Sequence, residues 1–270
     1  MRVDLRNSRV LITGASRGIG RGIARILKEE GCIVAGTSRD PGGIPDRNRT
    51  PGVTYHQLEL SDFRSIEQLV EAVGDVDILI NNAGVSQIGS VEDTPLQHIR
   101  YLIDVNIVGT IYLTKLLLPG MRERRRGFII NITSLACWIA VPFSTFYAIT
   151  KHGIDGLSKG LWQELKKYGI PVVSIAPVHV NTDIPMIKTY PDSSPYAAET
   201  KRVKAIRDKG MSEAPGPDWI AGKVLKILKS RRPSPFYLVG KNAQLYMVLR
   251  RILSESAIQW LVRKTFRVDD

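Results

Sequence analysis

Short apolar runs alternate with amphipathic ones along the first 180 residues. RVLITG (9–14) is branched, apolar and ended by glycine, which predicts a buried strand. Ile19 to Glu30 carries apolar residues at helical spacing and stops at Gly31, so it predicts a helix. CIVAGTS (32–38) predicts a second strand and VTYHQLEL (53–60) a third. Between them, RDPGGIPDRNRTPG (39–52) is rich in Pro, Gly and charge and predicts a loop. Ser61 or Asp62 is placed to cap a helix running through Val73. VDILINNAG (76–84) predicts a strand entering a turn, Leu96 to Met121 a long helical stretch, and GFIINITS (127–134) a strand. Thr145 to Tyr168 predicts a helix and IPVVSIAP (170–177) a strand.

This β-α rhythm implies a parallel sheet with helices on both faces. Such sheets bind ligands beyond the carboxyl ends of their strands. The rhythm breaks over 183–217, a mixed, proline-bearing segment too long for an ordinary connection, read as a lid over a site. Asp218 to Lys229 predicts a helix and PFYLVG (235–240) a last strand. The expected organisation is one catalytic domain over 1–240 with an amphipathic helical extension of it over 241–270.

Composition narrows the class without choosing a function. Of 270 residues, 43% are hydrophobic and 24% charged, as in soluble globular chains. Cys32 and Cys137 are too few for a disulfide framework and show no metal-ligand spacing, so a reduced, cytoplasmic setting and no metal are expected. The N-terminus lacks a signal peptide's apolar run and cleavage site. No stretch reaches the roughly 18 uninterrupted apolar residues of a membrane span. The net charge of +12 is dispersed over several basic clusters. None is interleaved with aromatics in a nucleic-acid motif, so solvated helix faces are expected rather than a nucleic-acid partner.

Candidate chemistry gathers at the predicted strand ends. TGASRGIG places Gly14, Ser16, Arg17, Gly18, Ile19 and Gly20 between the first strand and the first helix. A backbone without Cβ lets a pyrophosphate approach there, and the helix N-terminus favours the anion. A glycine triplet alone is weak; its position between strand and helix gives it weight. The second strand ends in Ser38-Arg39, where an adenosine ribose is expected. Arg17 and Arg39 suit a 2′-phosphate, which predicts NADP(H). Asp40 keeps NAD open, because a shift of one or two residues would bring a carboxylate to the ribose.

STFYAITKHG (144–153) sets Tyr147 and Lys151 one helical turn apart on one face. A free phenol titrates near ~10 and a lysine near ~10.4. A nicotinamide ring and Lys151 beside the phenol would favour phenolate, so Tyr147 could exchange a proton with a carbonyl or alcohol oxygen. Ser134 ends a strand thirteen residues earlier and could position the reacting oxygen. Asn106 is a poor helix former inside IDVNIVG, where a kink could free a carbonyl for a water relay. In NNAG (81–84), Asn81 could brace neighbouring strands, and Asn82, Ala83 and Gly84 could lie against the adenosine.

TGASRGIG, NNAG, Asn106, Ser134 and Tyr147-x-x-x-Lys151, in this order and spacing, resemble the short-chain dehydrogenase/reductase family over roughly residues 8 to 184. The resemblance implies a Rossmann-type, doubly wound parallel sheet of about seven strands, NAD(P) binding, and an Asn-Ser-Tyr-Lys tetrad. By that likeness Tyr147 is the acid/base, Ser134 orients the substrate, Lys151 lowers the tyrosine pKa and Asn106 supports the water relay. Glu59, before Leu60, falls where the family has an aspartate at the adenine. Pro177, Val180 and Thr182 fall in the family's nicotinamide loop, with Val178 replacing its usual glycine. His179 is either a substrate-facing or a structural residue. The family also implies a homodimer or homotetramer.

The expected substrate pocket is lined by Leu135, Ala136, Cys137 and Trp138, by Pro142 to Ser144, by Val85 to Gln87 and by the lid. Those residues are mostly apolar, so a small hydrophobic ketone, aldehyde or secondary alcohol is expected. The tail's apolar residues and arginines could lie on an anionic membrane; packing over the lid or onto a second subunit is favoured. A non-catalytic dinucleotide-binding sensor or scaffold is the rival reading, weakened because Tyr147 and Lys151 are both present.

Overall fold

The computed structural model describes residues 4–182 and 184–268. Asp183, the first residue of the expected lid, lies outside them, as do Met1–Val3 and Asp269–Asp270 at the two ends of the expected domain and its extension. The elements in chain order are β1 (Arg9–Ile12), α1 (Gly18–Glu29), β2 (Ile33–Ser38), β3 (Thr54–Gln57), α2 (Phe63–Val73), β4 (Ile78–Asn81), β5 (Ser86–Ile88) and α3 (Leu96–Ile103). A π-helical turn, Asp104–Val108, joins α3 to α4 (Gly109–Glu123). Then come β6 (Phe128–Ile132), α5 (Thr145–Leu165), β7 (Val172–Pro177), β8 (Met186–Lys188), α6 (Ala197–Ser212), α7 (Pro217–Leu228), β9 (Phe236–Val239), α8 (Ala243–Ile252) and α9 (Glu255–Phe266).

Seven strands form one parallel sheet in the order β3-β2-β1-β4-β6-β7-β9. This is the Rossmann-type arrangement: the order reverses between β1 and β4, which opens a crevice at their carboxyl ends. Side chains of a strand alternate between faces. Val10 and Ile12 therefore pack with Ile23 and Leu27 of α1 and Ile220 and Val224 of α7. Leu11, between them, joins Ile66 of α2, Leu113 and Leu117 of α4, and Leu161 of α5 on the other face. Both faces of the sheet are thereby covered, which suits strands with uninterrupted apolar sequence.

Local chemistry sets the boundaries. Gly31, at φ +85°, follows the last turn of α1 as a left-handed stop. Asp62 rather than Ser61 caps α2, accepting from Arg64 N at 3.0 Å. Pro217 opens α7 in the first turn, where its missing N–H costs nothing. The Leu96–Glu123 helix is long and apolar enough to cross a membrane by length and composition alone. Leu102, Val105, Leu113, Leu117 and Met121 of that helix are nevertheless buried in the core.

One feature departs from the sequence reading. The lid segment contains a full helix, α6, and a strand, β8, that pairs in parallel with β5 as a separate two-stranded sheet. The kink expected at Asn106 within the helical stretch 96–121 takes the form of the π turn, which centres on that residue.

Candidate active site

The glycine turn between β1 and α1 is fastened from three sides. Thr13 Oγ1 accepts from the backbone N–H groups of Asn82 and Ala83, both at 2.9 Å. Asn82 Nδ2 returns two bonds, to Thr13 O at 2.9 Å and Gly14 O at 3.1 Å. Gly14 N donates to Thr37 Oγ1 at 3.2 Å. Gly14 adopts φ +69°, and a Cβ there would stand 3.1 Å from Ala83 Cα. Gly20 needs its lack of side chain for a different reason. A Cβ would meet Gly14 O at 2.2 Å and Asn82 Nδ2 at 2.5 Å, so Gly20 serves helix-to-turn packing and does not line the cavity, contrary to its expected ligand role.

The N-terminus of α1 has no side-chain cap and no acid in its first turn. Its backbone donors are thus left for a ligand, and the dipole favours an anion. Arg17 is exposed at that point, and Arg39 is exposed beyond the tip of β2. Asp40 is turned into its own loop, where its carboxylate accepts from Gly43 N at 2.9 Å. Glu59, expected at an adenine, is held by Ser61, whose backbone N–H and hydroxyl donate to Glu59 Oε1 at 3.1 and 2.8 Å. Asn81 braces the sheet as expected: its Nδ2 donates to Asn131 Oδ1 on β6 at 2.8 Å and to Thr114 Oγ1 on α4 at 3.1 Å.

At the other side of the crevice, Ser134 follows β6, and its Oγ accepts from Ala136 N at 3.2 Å. Lys151 is buried, with Nζ donating to Ile132 O at 3.0 Å and lying 5.6 Å from the Tyr147 ring centroid. One turn of α5 thus brings phenol and ammonium to the end of β6. Asn106 works through its side chain. Its Oδ1 accepts from Val85 N at 2.9 Å, and its Nδ2 donates to Val85 O at 2.8 Å and to Thr150 Oγ1 at 3.1 Å. Thr150 in turn donates to Tyr147 O at 2.8 Å. Asn106 therefore ties the segment following β4 to the helix carrying Tyr147, and it is not itself in the cavity wall.

Every other expected catalytic and cofactor-binding residue lines one cavity of about 760 Å³. It extends from Arg17 and Arg39 past Gly84, Ser134, Tyr147 and Lys151 to Thr182. Val178, in the place of a glycine, is accommodated by Gly240: a Cβ on Gly240 would lie 2.7 Å from Val178 Cβ. His179 also lines the cavity, and burial, reinforced by the nearby Arg207 charge, lowers its pKa.

The substrate wall needs correction. Leu135, Ala136, Val141, Ser144 and Val85 line the cavity as expected. Trp138 instead stacks on Phe236 at 4.5 Å, with the Arg250 guanidinium 4.1 Å from its ring centroid, so it fastens the tail to the core. Phe143 turns to Tyr196. Pro142, Ser86 and Gln87 also lie outside the cavity wall, the last two in the β5–β8 sheet. Cys137 is buried, and burial raises its thiol to about 11, which marks a packing residue rather than a nucleophile. The lid reaches the cavity as expected, through Ile184, Pro185, Arg207 and Met211, although the sequence did not single out Arg207; Phe266 of α9, which also reaches it, was not foreseen. The tail thus packs over the lid, with Arg202 Nη1 donating to Arg267 O at 2.7 Å. Leu245, Val248, Ile252 and Trp260 remain exposed on the tail's outer side.

Fold and site together define an α/β oxidoreductase built to hold a dinucleotide. The glycine cradle, the open N-terminus of α1 and the buried Lys151 all fit such a group. A family model described as short chain dehydrogenase matches residues 8–190. The chain belongs to the short-chain dehydrogenase/reductase family. It is 30% identical over 259 residues to a 3-ketodihydrosphingosine reductase of Bacteroides thetaiotaomicron, covering 94% of this chain and 96% of the relative. It is 30% identical over 247 residues to dehydrogenase/reductase SDR family member 7B of Bos taurus, covering 86% of this chain and 74% of the relative. The crystal structure of a short-chain dehydrogenase from Streptomyces avermitilis superimposes with a TM-score of 0.81 at 25% identity, covering 97% of each chain.

Proposed function

We propose that this chain is an NADP(H)-dependent oxidoreductase that interconverts a lipophilic carbonyl compound and its alcohol, with Tyr147 as the proton donor and acceptor. The observation that carries the reading is the convergence of Tyr147, Lys151 and Ser134 with the glycine turn on a single cavity. The nicotinamide, when bound, supplies or accepts the hydride. Tyr147 gives its hydroxyl proton to the carbonyl oxygen in reduction and takes it back in oxidation. Ser134 donates to the same oxygen and fixes its direction. Lys151 uses one of its three donors on Ile132 O, leaving two for ribose hydroxyls. Asn106 holds α5 at the required distance through Thr150.

The NADP(H) preference rests on Arg17 and Arg39, which line the cavity and form no ion pair among the described residues. Asp40 is the group that could select NAD, and its carboxylate is occupied by Gly43 N. Initial rates with NADPH and NADH over a panel of ketones and aldehydes test both parts. NADPH should be favoured about tenfold or more, and Arg17→Ala with Arg39→Ala should remove that preference. Tyr147→Phe should lower kcat by about 10²–10⁴-fold while NADPH still binds. A preference for NADH sinks the cofactor assignment, and an active Tyr147→Phe sinks the assigned acid.

A further inference from the structure

The cavity holds a charge that hydride transfer does not use. Arg207, on α6, is half-buried in the cavity wall. Its Nη2 donates to Ser86 Oγ at 2.7 Å and its Nη1 makes a longer bond to Ser144 Oγ at 3.4 Å. Ser86 belongs to β5, and Ser144 immediately precedes α5, three residues before Tyr147. Both hydroxyls are neutral, so they orient the guanidinium without cancelling its charge. The adjacent acid on the helix, Asp208, is engaged by Lys204. Among the described residues no carboxylate is within salt-bridge distance of Arg207.

The acids in the cavity wall, Asp40 and Glu59, stand at the tips of β2 and β3, and each is held by its own loop. On the Tyr147 side the wall carries Lys151 and Arg207 and, among the described residues, no acid. Withdrawing a cation from water without an opposite charge is costly. Burial accordingly lowers the Arg207 pKa, while Tyr147 and Asp208 act in the opposite direction.

Building on the reading of Tyr147 as the acid, we propose that Arg207 anchors the substrate by an anionic group, a carboxylate or a phosphate ester, carried on the same molecule as the reacting carbonyl. A guanidinium has five N–H donors, and two are occupied, so three remain for forked pairing with such an anion. Leu135, Val141, Ile184, Met211 and Phe266 supply apolar wall for the rest of the molecule. The substrate class is therefore an amphiphile with an anionic head, which replaces the neutral hydrophobic ketone expected from the wall sequence alone.

The test compares oxo acids of varied carbonyl position, their methyl esters, and hydroxyketone phosphates of matched chain length, all with NADPH. Wild-type protein should favour an acid or a phosphate over the matched ester by about 10–100-fold in kcat/KM. The better arm identifies the head group. Arg207→Ala should bring that ratio near one, and Arg207→Lys should restore part of it. Equal use of acid, phosphate and ester by wild-type protein overturns the proposal, as does a loss in Arg207→Ala that is the same for all three. A second readout needs no turnover: with NADPH present, a non-reducible carboxylate or alkyl phosphate should raise Tm and its ester should not, and Arg207→Ala should abolish the difference. That shift without turnover upholds Arg207 and sinks only the redox reading; turnover without any anion preference sinks only Arg207.

Discussion

Asn106 and Val85 are joined like two neighbouring strand residues: the amide of Asn106 accepts from Val85 N at 2.9 Å and donates to Val85 O at 2.8 Å. The side chain thereby satisfies both backbone groups of a residue just after β4, where the sheet no longer does. Asn106 is 3% exposed and Val85 6%, so water cannot replace either bond. The π turn supplies the geometry, since one wider turn within a helix redirects a side chain at little cost to its neighbours.

Asn106→Ala should therefore lower stability by about 1–3 kcal/mol, the cost of leaving buried polar groups unpaired. Urea unfolding measures the loss. Hydrogen exchange locates it: the Val85 amide should lose protection while core amides in β1 and β4 keep theirs. Unchanged protection at Val85 would show that the loop after β4 is held by something else.

Val178 and Gly240 form a second coupled pair. The valine occupies a position where a glycine is usual in the family, and the chain compensates by having no side chain opposite it. Gly240→Ala should destabilise by about 1–3 kcal/mol through overpacking against Val178. Adding Val178→Gly should recover part of that loss, so the double variant should be more stable than the sum of the singles predicts. Additive effects in the double-mutant cycle would mean that the two positions do not share the space.

The sequence made the sheet and the cofactor end legible because their signals are local. RVLITGASRGIG, with glycines at 14, 18 and 20, specifies a strand, a turn and the start of a helix within twelve residues, and the ladder of apolar strands orders itself around that unit. Tyr147 and Lys151 needed only helical spacing to be recognised as neighbours. Arg207 gave no such signal. It lies in a helix, AAETKRVKAIRDKGMS, whose polar residues run around most of its surface, so neither the helix nor its buried side was evident. Its partners Ser86 and Ser144 are 121 and 63 residues away, a pairing that only tertiary structure creates. Trp138 failed for a related reason: its place next to Ser134 in sequence suggested the pocket, while its ring found Phe236 and Arg250. Strands β5 and β8 are three residues each and too short for a periodic pattern.

His179 offers a test in which pH reads the lid's packing. Gly210 of α6 lies over the imidazole, where a Cβ would come within 3.6 Å of His179 Cε1. Burial first, and the Arg207 charge second, hold its pKa below the ordinary value. In the unfolded chain the imidazole binds a proton near pH ~6.5. The folded chain binds it only at a lower pH, so the unfolded state carries more protons between those two values. The stability contributed by neutral, buried His179 is thus fully present above about pH 6.5 and is lost as pH falls through the folded value. Urea midpoints of wild type and His179→Gln, measured from pH 7.5 downward, isolate this group because the other histidines contribute equally to both. The wild-type advantage should shrink on acidification, and Arg207→Ala should narrow the interval by removing the cation that opposes protonation. A wild-type advantage that stays constant across the same range would place His179 in contact with solvent and detach it from the lid.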